Sequence, residues 1–290
     1  MCGNLYNEII NMKTKIFLDS GDPKETKDTF SLLGFLDGQT TNPSLFAKNP
    51  QIQEQLTMGK KFTQDEVYSF YQSVIKEIYQ IIPNGSISIE VYADKKTTVD
   101  EMLKQALLMN SWIPTAHIKL PITHAGLEVA RILVDKNIRV NMTLCFTQQQ
   151  AAAVYSATYG AKKGQVFISP FIGRLDDLGL NGLDLIKNCL EMYKNGDRHV
   201  EVLVASVRSL YHLLASFAME ANIVTTPFSI LKAWKEKTKP QSSEKKLKEI
   251  KYEEIDLSKP WTQFNINHDL TNIGIEKFCS DWNKLIDFSK

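Results

Sequence analysis

A lysine lies inside a short apolar run near the middle of the chain. Residues 115–121 read T-A-H-I-K-L-P, so Lys119 is flanked by Ile118 and Leu120, and Pro121 ends the run. An ammonium group is costly in apolar surroundings, and burial or a neighbouring cation favours the free amine that attacks a carbonyl carbon. The pattern therefore indicates Schiff-base chemistry. The alternative is a lysine at a strand end whose stem packs while its head reaches water.

Further polar side chains stand where other apolar runs end. Asn141 and Thr143 are two positions apart, as are Ser206 and Arg208, so each pair faces one side of an extended segment. Such groups can hold hydroxyls, move protons or bind anions. The other members of this set are Asp19, Asn42, Glu90, Ser169 and Arg174. Each alone could be a surface or capping residue, but together with Lys119 they indicate one site.

The segments that must position these residues alternate between strand-like and helix-like patterns. Several of the predicted strands are continuously apolar, as parallel strands covered on both faces are. The eight predicted strands are 15–20, 35–42, 86–93, 115–121, 139–146, 165–172, 201–208 and 223–228. Each is followed by a helical pattern, which predicts an α/β fold, a single (β/α)8 TIM barrel spanning 1–290. In such a barrel chemistry sits at the C-terminal strand ends, where the polar set falls.

Capping patterns predict where several helices begin. Thr63 with Glu66, and Thr98 with Glu101, have the spacing of capping boxes. A further helix is predicted after Asp22, with a proline next in the chain and Gly34 at its end. The other predicted helices are 123–137, 148–160, 183–193, 210–220 and 229–235.

Two C-terminal segments differ from this repeating pattern. Residues 237–260 are dense in Lys and Glu and are interrupted by prolines, which indicates a solvated charged loop or a mobile flap. Residues 273–288 carry apolar side chains at helical spacing. They predict an extra C-terminal helix that docks on the barrel mouth or on an outer helix.

The composition argues against several classes of function. The formal net charge of +1 gives no electrostatic case for binding nucleic acid or a membrane surface. No apolar run approaches the ~18 residues of a membrane span, and residues 1–15 lack the apolar core of a signal peptide, so we expect a cytoplasmic protein. The four cysteines form no C-x-x-C pair and the five histidines match no metal motif, so neither disulfides nor a metal site are expected.

The chain carries five motifs in this order: 38–45 (GQTTNPSL), 118–121 (IKLP) with Thr123 and Gly126, 141–146 (NMTLCF), 169–174 (SPFIGR) and 205–208 (ASVR). Together they resemble the motifs of the transaldolases, class I aldolases of the pentose phosphate pathway. The resemblance runs from about residue 18 to residue 228. Gln39, Ala116 and Val207 depart from the usual residues of that family, and none of these departures removes a reacting group.

The resemblance implies a role for each residue of the polar set. Lys119 would form a Schiff base with a ketose phosphate, and Glu90 would move protons through a water held by Thr143. Asp19 would take the C4 hydroxyl proton, so that the C3–C4 bond breaks. Substrate-binding roles are implied for Asn42, Asn141, Ser169, Phe171, Arg174, Ser206 and Arg208, the last three at the phosphate. The implied partners are sugar phosphates, with no cofactor and no metal.

Two alternatives remain open at this point. A related fructose 6-phosphate aldolase releases free dihydroxyacetone, and in that branch a Gln and a Tyr tend to replace Glu90 and Phe171, so the residues present here favour the transferase. A barrel that binds sugar phosphate without catalysis is disfavoured by the intact Asp19, Glu90 and Lys119. The oligomeric state stays undetermined.

Overall fold

Eight parallel strands close into a barrel, as the sequence predicts. The computed structural model describes residues 13–238 and 246–287. Neighbours in the chain are neighbours in the sheet, and the last strand pairs with the first in parallel. The strands are β1 (Lys15–Asp19), β2 (Gly38–Thr40), β3 (Ser86–Glu90), β4 (Ala116–Pro121), β5 (Val140–Cys145), β6 (Val166–Pro170), β7 (Val200–Val204) and β8 (Ile223–Thr226).

Helices surround the barrel and one crosses its mouth. Within the described ranges they are α1 (Pro23–Leu33), α2 (Pro43–Ala47), α3 (Pro50–Thr57), α4 (Gln64–Ile81), α5 (Val99–Asn110), α6 (His124–Asp135), α7 (Gln148–Ala157), α8 (Ile172–Asp177), α9 (Gly182–Tyr193), α10 (Leu210–Ala218), α11 (Phe228–Lys235) and α12 (Asp269–Asn283), with a 3-10 turn at Trp261–Gln263. The capping boxes predicted at Thr63 and Thr98 are both formed. Asp22 caps α1, which ends at Gly34 in the left-handed conformation that favours glycine.

Several elements differ from the sequence-based prediction. β2 ends at Thr40 instead of residue 42, because Asn42 and Pro43 begin α2. The sequence predicts a loop directly after Arg174, but this residue lies within α8. β7 ends at Val204, so Ser206 and Arg208 lie beyond the strand to which they are assigned from the sequence. Neither α2 nor α3 is predicted, since elements of five and eight residues show little periodicity.

An aromatic floor, formed by Phe17, His117 and Phe167, fills the middle of the barrel. These residues come two positions before Asp19, Lys119 and Ser169 on β1, β4 and β6, so they face the same interior one layer lower. The Phe17 and Phe167 rings meet edge to face at 6.1 Å, and His117 stacks on Phe167 at 4.0 Å. The upper half of the barrel is therefore closed from below.

The described part of the charged segment, 246–260, runs along the outside of the barrel with neither helix nor strand. Its backbone is tied to two outer helices. Gln148 of α7 donates to the Glu253 carbonyl at 3.2 Å, and Asn188 of α9 donates to the Ile250 carbonyl at 2.9 Å. Residues 239–245 of the predicted loop lie outside the described residues.

The C-terminal helix α12 lies across the C-terminal face of the barrel. It begins at Asp269, four residues before the predicted start, and ends at Asn283; residue 288 of the predicted segment lies outside the described residues. The helix packs on α2 and on β5. Gly274 allows this close approach, because a Cβ there would stand 2.5 Å from Leu144 Cδ2 and 2.8 Å from Arg174 Nη1. Among the described helices, none combines the length and apolar character needed to cross a membrane.

Candidate active site

Lys119 and Glu90 form a buried ion pair at the centre of the barrel mouth. Their strands are neighbours in register, so the two residues lie side by side on β4 and β3. Lys119 Nζ is 2.9 Å from Glu90 Oε2, and the two side chains are only 3% and 4% exposed. Lys119 Nζ also donates to the Thr41 carbonyl at 3.3 Å. The lysine is thus not the exposed strand-end residue of the alternative interpretation.

Burial and charge act against each other at this pair. Desolvation raises the pKa of Glu90, and nearby Asp19 raises it further, whereas Lys119 and then Arg174 oppose the rise. A carboxylate with a raised pKa accepts a proton from a neighbouring ammonium more readily. Glu90 and Lys119 can therefore exchange a proton without exposure to bulk water.

Asp19 supplies a second carboxylate at the top of β1. Burial raises its pKa, and the field of Lys119, a hydrogen bond from Thr40 and the field of Lys48 oppose the rise. Thr40 Oγ1 donates to Asp19 Oδ1 at 2.7 Å and lies 2.7 Å from Thr225 Oγ1. Because its second oxygen is left for other partners, Asp19 can take or give a proton in the cavity.

A hydroxyl-and-amide layer lies beside the ion pair. Ser169 Oγ donates to Asn141 Oδ1 at 2.7 Å, and Asn141 Nδ2 donates to Ser88 Oγ at 3.0 Å. Thr143, two residues further along β5 than Asn141, is fully buried, and its Oγ1 has no hydrogen-bond partner within the described parts of the chain. This hydroxyl is available to a bound water or a substrate group.

Asn42 serves both the fold and the cavity. Its Oδ1 accepts from the Leu45 backbone N–H at 2.9 Å and so caps α2. Its Nδ2 stays available as a donor at the cavity wall, which Asn42 lines.

The rim of the mouth carries two arginines. Arg174 lies between two aromatic rings, 5.4 Å from the centroid of Phe171 and 5.6 Å from that of Phe278 on α12. Burial lowers the pKa of Arg174, and the neighbouring Arg208 lowers it further. Arg208 is held by an ion pair with Asp177. Two fork-shaped donors on one rim are suited to a phosphate group.

The backbone around this rim is unusually tight. Ser206 has a φ of 59°, and its carbonyl accepts from the Gly173 N–H at 3.1 Å. A Cβ at Gly173 would come within 2.4 Å of that carbonyl oxygen and 2.6 Å of Arg208 Nε. A side chain at position 173 would therefore displace the segment that carries Arg208.

The cavity below the rim brings most of the predicted residues together. It measures about 270 Å³ and is lined by Asp19, Asn42, Lys119, Ser169, Phe171, Arg174, Ser206 and Arg208 among the residues predicted from the sequence. Glu90, Asn141 and Thr143 do not line it. Glu90 reaches the site through Lys119, and Asn141 reaches it through Ser169. Within the described residues, no group of three or more His, Cys, Asp or Glu could hold a metal ion.

Several wall residues are missed by reasoning from the sequence. Lys48 follows α2 and Lys277 lies on α12, and both line the cavity. The search for site residues at the C-terminal ends of strands does not include them, and the sequence pattern around an exposed lysine outside a strand does not indicate a binding site. Ser44, a further wall residue, belongs to the motif 38–45, and that motif is the signal in the sequence that points to this part of the wall.

Fold and site together define a (β/α)8-barrel protein with a lysine–carboxylate centre beneath a cationic mouth. The chain belongs to the family described as Transaldolase/Fructose-6-phosphate aldolase, whose profile matches residues 16–288.

Similar proteins carry the same designation. Proteins named "Probable transaldolase" are 35% identical over 270 residues in Brucella ovis, covering 93% of this chain and 97% of that protein, and 32% identical over 268 residues in Dehalococcoides mccartyi, covering 92% and 97%. A third, from Anaeromyxobacter sp., is 34% identical over 271 residues, covering 93% and 98%. These similarities support a general transaldolase-type function.

Among solved structures, a 3-hexulose-6-phosphate synthase from Salmonella typhimurium aligns with a TM-score of 0.48 at 12% identity, over 78% of this chain and 97% of that one. A similarity of this degree adds nothing to the assignment.

Proposed function

We propose that the protein is a transaldolase that transfers a dihydroxyacetone unit between sugar phosphates through a Schiff base on Lys119. The observation that carries the proposal is the buried Lys119–Glu90 pair, with Asp19 on the wall of a cavity whose rim bears two arginines. A ketose phosphate such as fructose 6-phosphate or sedoheptulose 7-phosphate would place its phosphate against Arg174 and Arg208 and its C2 carbonyl at Lys119.

The first half of the reaction forms an imine. Lys119 passes a proton to Glu90, and its free amine attacks the C2 carbonyl to give a carbinolamine. Glu90, with a water held at the Thr143 hydroxyl, then returns a proton to the departing C2 oxygen, which leaves as water. The raised pKa of Glu90 supports this acid–base role. The product is a protonated imine that can accept an electron pair.

The second half breaks and remakes a carbon–carbon bond. Asp19 takes the proton of the C4 hydroxyl, the C3–C4 bond breaks, and its electron pair moves into the imine to give an enamine. The aldose phosphate leaves, either glyceraldehyde 3-phosphate or erythrose 4-phosphate. Asn42, Asn141 and Ser169 would hold the hydroxyls of the remaining fragment. The enamine then attacks the carbonyl of the other aldose phosphate, Asp19 returns the proton, and hydrolysis frees Lys119.

The decisive experiment is borohydride trapping with fructose 6-phosphate in the absence of an acceptor, followed by peptide mass analysis. We expect a reduced dihydroxyacetone adduct on Lys119, and none in the Lys119→Met protein. A wild-type protein that is folded and yields no adduct on Lys119 contradicts the proposal. A second assay measures dihydroxyacetone release against sedoheptulose 7-phosphate formation when erythrose 4-phosphate is added. Formation of sedoheptulose 7-phosphate that is faster than dihydroxyacetone release supports the transferase. Dihydroxyacetone release that is as fast without erythrose 4-phosphate as with it supports the aldolase alternative.

A further inference from the structure

Tyr71 of α4 lies directly behind the Lys119–Glu90 pair, although it belongs to an outer helix. Its side chain is completely buried, and its hydroxyl makes two contacts. It lies 2.6 Å from Thr41 Oγ1, and it accepts from the Glu90 backbone N–H at 3.2 Å. One partner therefore precedes α2 and the other is the last residue of β3, the two segments that bracket Lys119.

The direction of each hydrogen bond follows from the partners. Thr41 Oγ1 also donates to the Ser88 carbonyl at 2.8 Å, and a carbonyl can only accept. Thr41 Oγ1 has thus used its proton, so in the contact with Tyr71 the tyrosine must be the donor. The result is one directed chain of hydrogen bonds, from Glu90 N–H through Tyr71 and Thr41 to the Ser88 carbonyl. We name these four residues the hydroxyl relay.

The hydroxyl relay reaches both members of the ion pair. Glu90 belongs to the relay through its backbone N–H, and the Thr41 carbonyl accepts from Lys119 Nζ at 3.3 Å. A single phenol oxygen therefore connects the strand that carries the carboxylate to the peptide group that holds the ammonium. Because every group involved is buried, water cannot replace a missing partner without a rearrangement.

Aromatic packing keeps the Tyr71 ring in place from the other side. Phe46 of α2, Trp112 and Trp282 of α12 surround it, with ring centroids 4.7, 5.6 and 5.7 Å away. Rings on three sides leave the phenol little freedom to rotate. The hydroxyl is thus delivered from a rigid cluster rather than from a mobile side chain.

We propose that Tyr71 is a positioning residue that fixes Glu90 and Lys119 relative to each other for the proton transfers of imine formation. This inference rests on the proposed function. Tyr71 does not line the cavity. It acts through the hydroxyl relay, so its removal changes the geometry of the pair and leaves the phosphate-binding rim intact.

The same helix offers a matched control. Tyr68 packs on Trp282 at 5.4 Å, but its hydroxyl donates to Gln105 at 2.8 Å, away from the ion pair. Tyr71→Phe and Tyr68→Phe each remove one hydroxyl from the same aromatic cluster. Only the first removes a member of the hydroxyl relay.

The experiment measures kcat, KM and the rate of borohydride-trappable adduct formation from fructose 6-phosphate for the wild type and both variants. We expect Tyr71→Phe to lower kcat and the rate of adduct formation together by about 10- to 100-fold, with KM changed less than about threefold. The acid limb of kcat/KM should move to higher pH, because a looser pair weakens the effect by which Lys119 holds down the pKa of Glu90. Tyr68→Phe should stay within about twofold of wild type in every measure.

A second pair of variants covers the case in which Tyr71→Phe does not fold. Thr41→Ser keeps the hydroxyl of the relay, and Thr41→Val removes it, so we expect the first to retain most of the adduct-formation rate and the second to lose it. Suppose that the wild type traps an adduct on Lys119. Equal adduct-formation rates for Tyr71→Phe and Tyr68→Phe, or for Thr41→Ser and Thr41→Val, then overturn the positioning role of Tyr71 and leave the proposed function standing. A wild type that traps no adduct overturns the proposed function, and the role of Tyr71 falls with it.

Discussion

Replacing Lys119 by methionine should destabilise the protein in a pH-dependent way. The change keeps the length of the side chain and removes the charge, so that Glu90, 4% exposed, loses the cation 2.9 Å away. Removing one partner of a buried ion pair typically costs about 3–5 kcal/mol, since the other charge is left uncompensated. The folded protein can avoid part of this cost by protonating Glu90.

The part of the cost that protonation of Glu90 can avoid depends on pH. An unfolded glutamate has a pKa of about 4.3, and keeping it neutral costs about 1.4 kcal/mol for each pH unit above that value. Holding Glu90 neutral in the folded state therefore costs ~1 kcal/mol at pH 5 and ~5 kcal/mol at pH 8. A folded pKa above the unfolded one means that folding takes up a proton, so stability is greatest at low pH and is lost as pH rises. We expect Lys119→Met to lose about 1 kcal/mol at pH 5 and about 3–5 kcal/mol at pH 8.

Urea unfolding at pH 5, 6.5 and 8 measures this difference directly. The matched control is the double variant Lys119→Met with Glu90→Gln, which has no buried carboxylate at this position and should show the smaller loss at every pH. A single variant that is equally destabilised at pH 5 and pH 8 would refute the reasoning. So would a double variant that is no more stable than the single variant at pH 8.

Three further predictions concern the mouth, the first short helix and the floor. In Gly274→Ala, the new methyl group should displace Leu144 and Arg174 and raise KM for fructose 6-phosphate about tenfold, the equivalent of one weakened charge-assisted hydrogen bond. Imine formation with dihydroxyacetone should be retained. An unchanged KM contradicts this prediction. Asn42→Ala should lower the free energy of unfolding, measured in urea, by about 1 kcal/mol through loss of the helix cap. Asn42→Asp keeps the acceptor oxygen and should lose less. Equal losses for the two variants would show that the cap is unimportant. Burial lowers the pKa of His117 to about 3. Between pH 6.5 and pH 5 this histidine is therefore protonated in the unfolded chain but stays neutral in the folded one, so the free energy of unfolding falls as the pH falls. The wild type should therefore lose about 2 kcal/mol more than His117→Gln between pH 6.5 and pH 5, and parallel stability curves would argue against a buried neutral imidazole.

The sequence predicts the barrel well because eight strand-like segments alternate with helical patterns, and several of them carry a polar residue near the C-terminal end. Lys119, Glu90 and Asp19 are examples, and the structure brings all three to one mouth. Closure between β1 and β8 is a long-range pairing that no local pattern reveals. It follows only from the count of strands and the rule that such barrels close.

What the sequence does not reveal are contacts made by residues of helices. Tyr71 falls on the apolar face of α4, and helical periodicity indicates the burial of its ring but not the partner of its hydroxyl. Lys277 reads as an ordinary exposed helical lysine, and only the docking of α12 brings it to the cavity. The charged segment gives another example, since its backbone carbonyls accept hydrogen bonds from Gln148 of α7 and Asn188 of α9, contacts that its charged composition does not reveal.

The aromatic floor divides the interior of the barrel into two compartments with different tolerance of change. Above Phe17 and Phe167, side chains face the cavity and can be exchanged at the expense of binding or rate. Below them, substitutions act mainly on folding. Evolution or laboratory selection could therefore diversify the upper compartment for new carbonyl substrates while the lower one continues to hold the barrel together. For a designer, the floor marks the depth at which randomisation of this scaffold should stop.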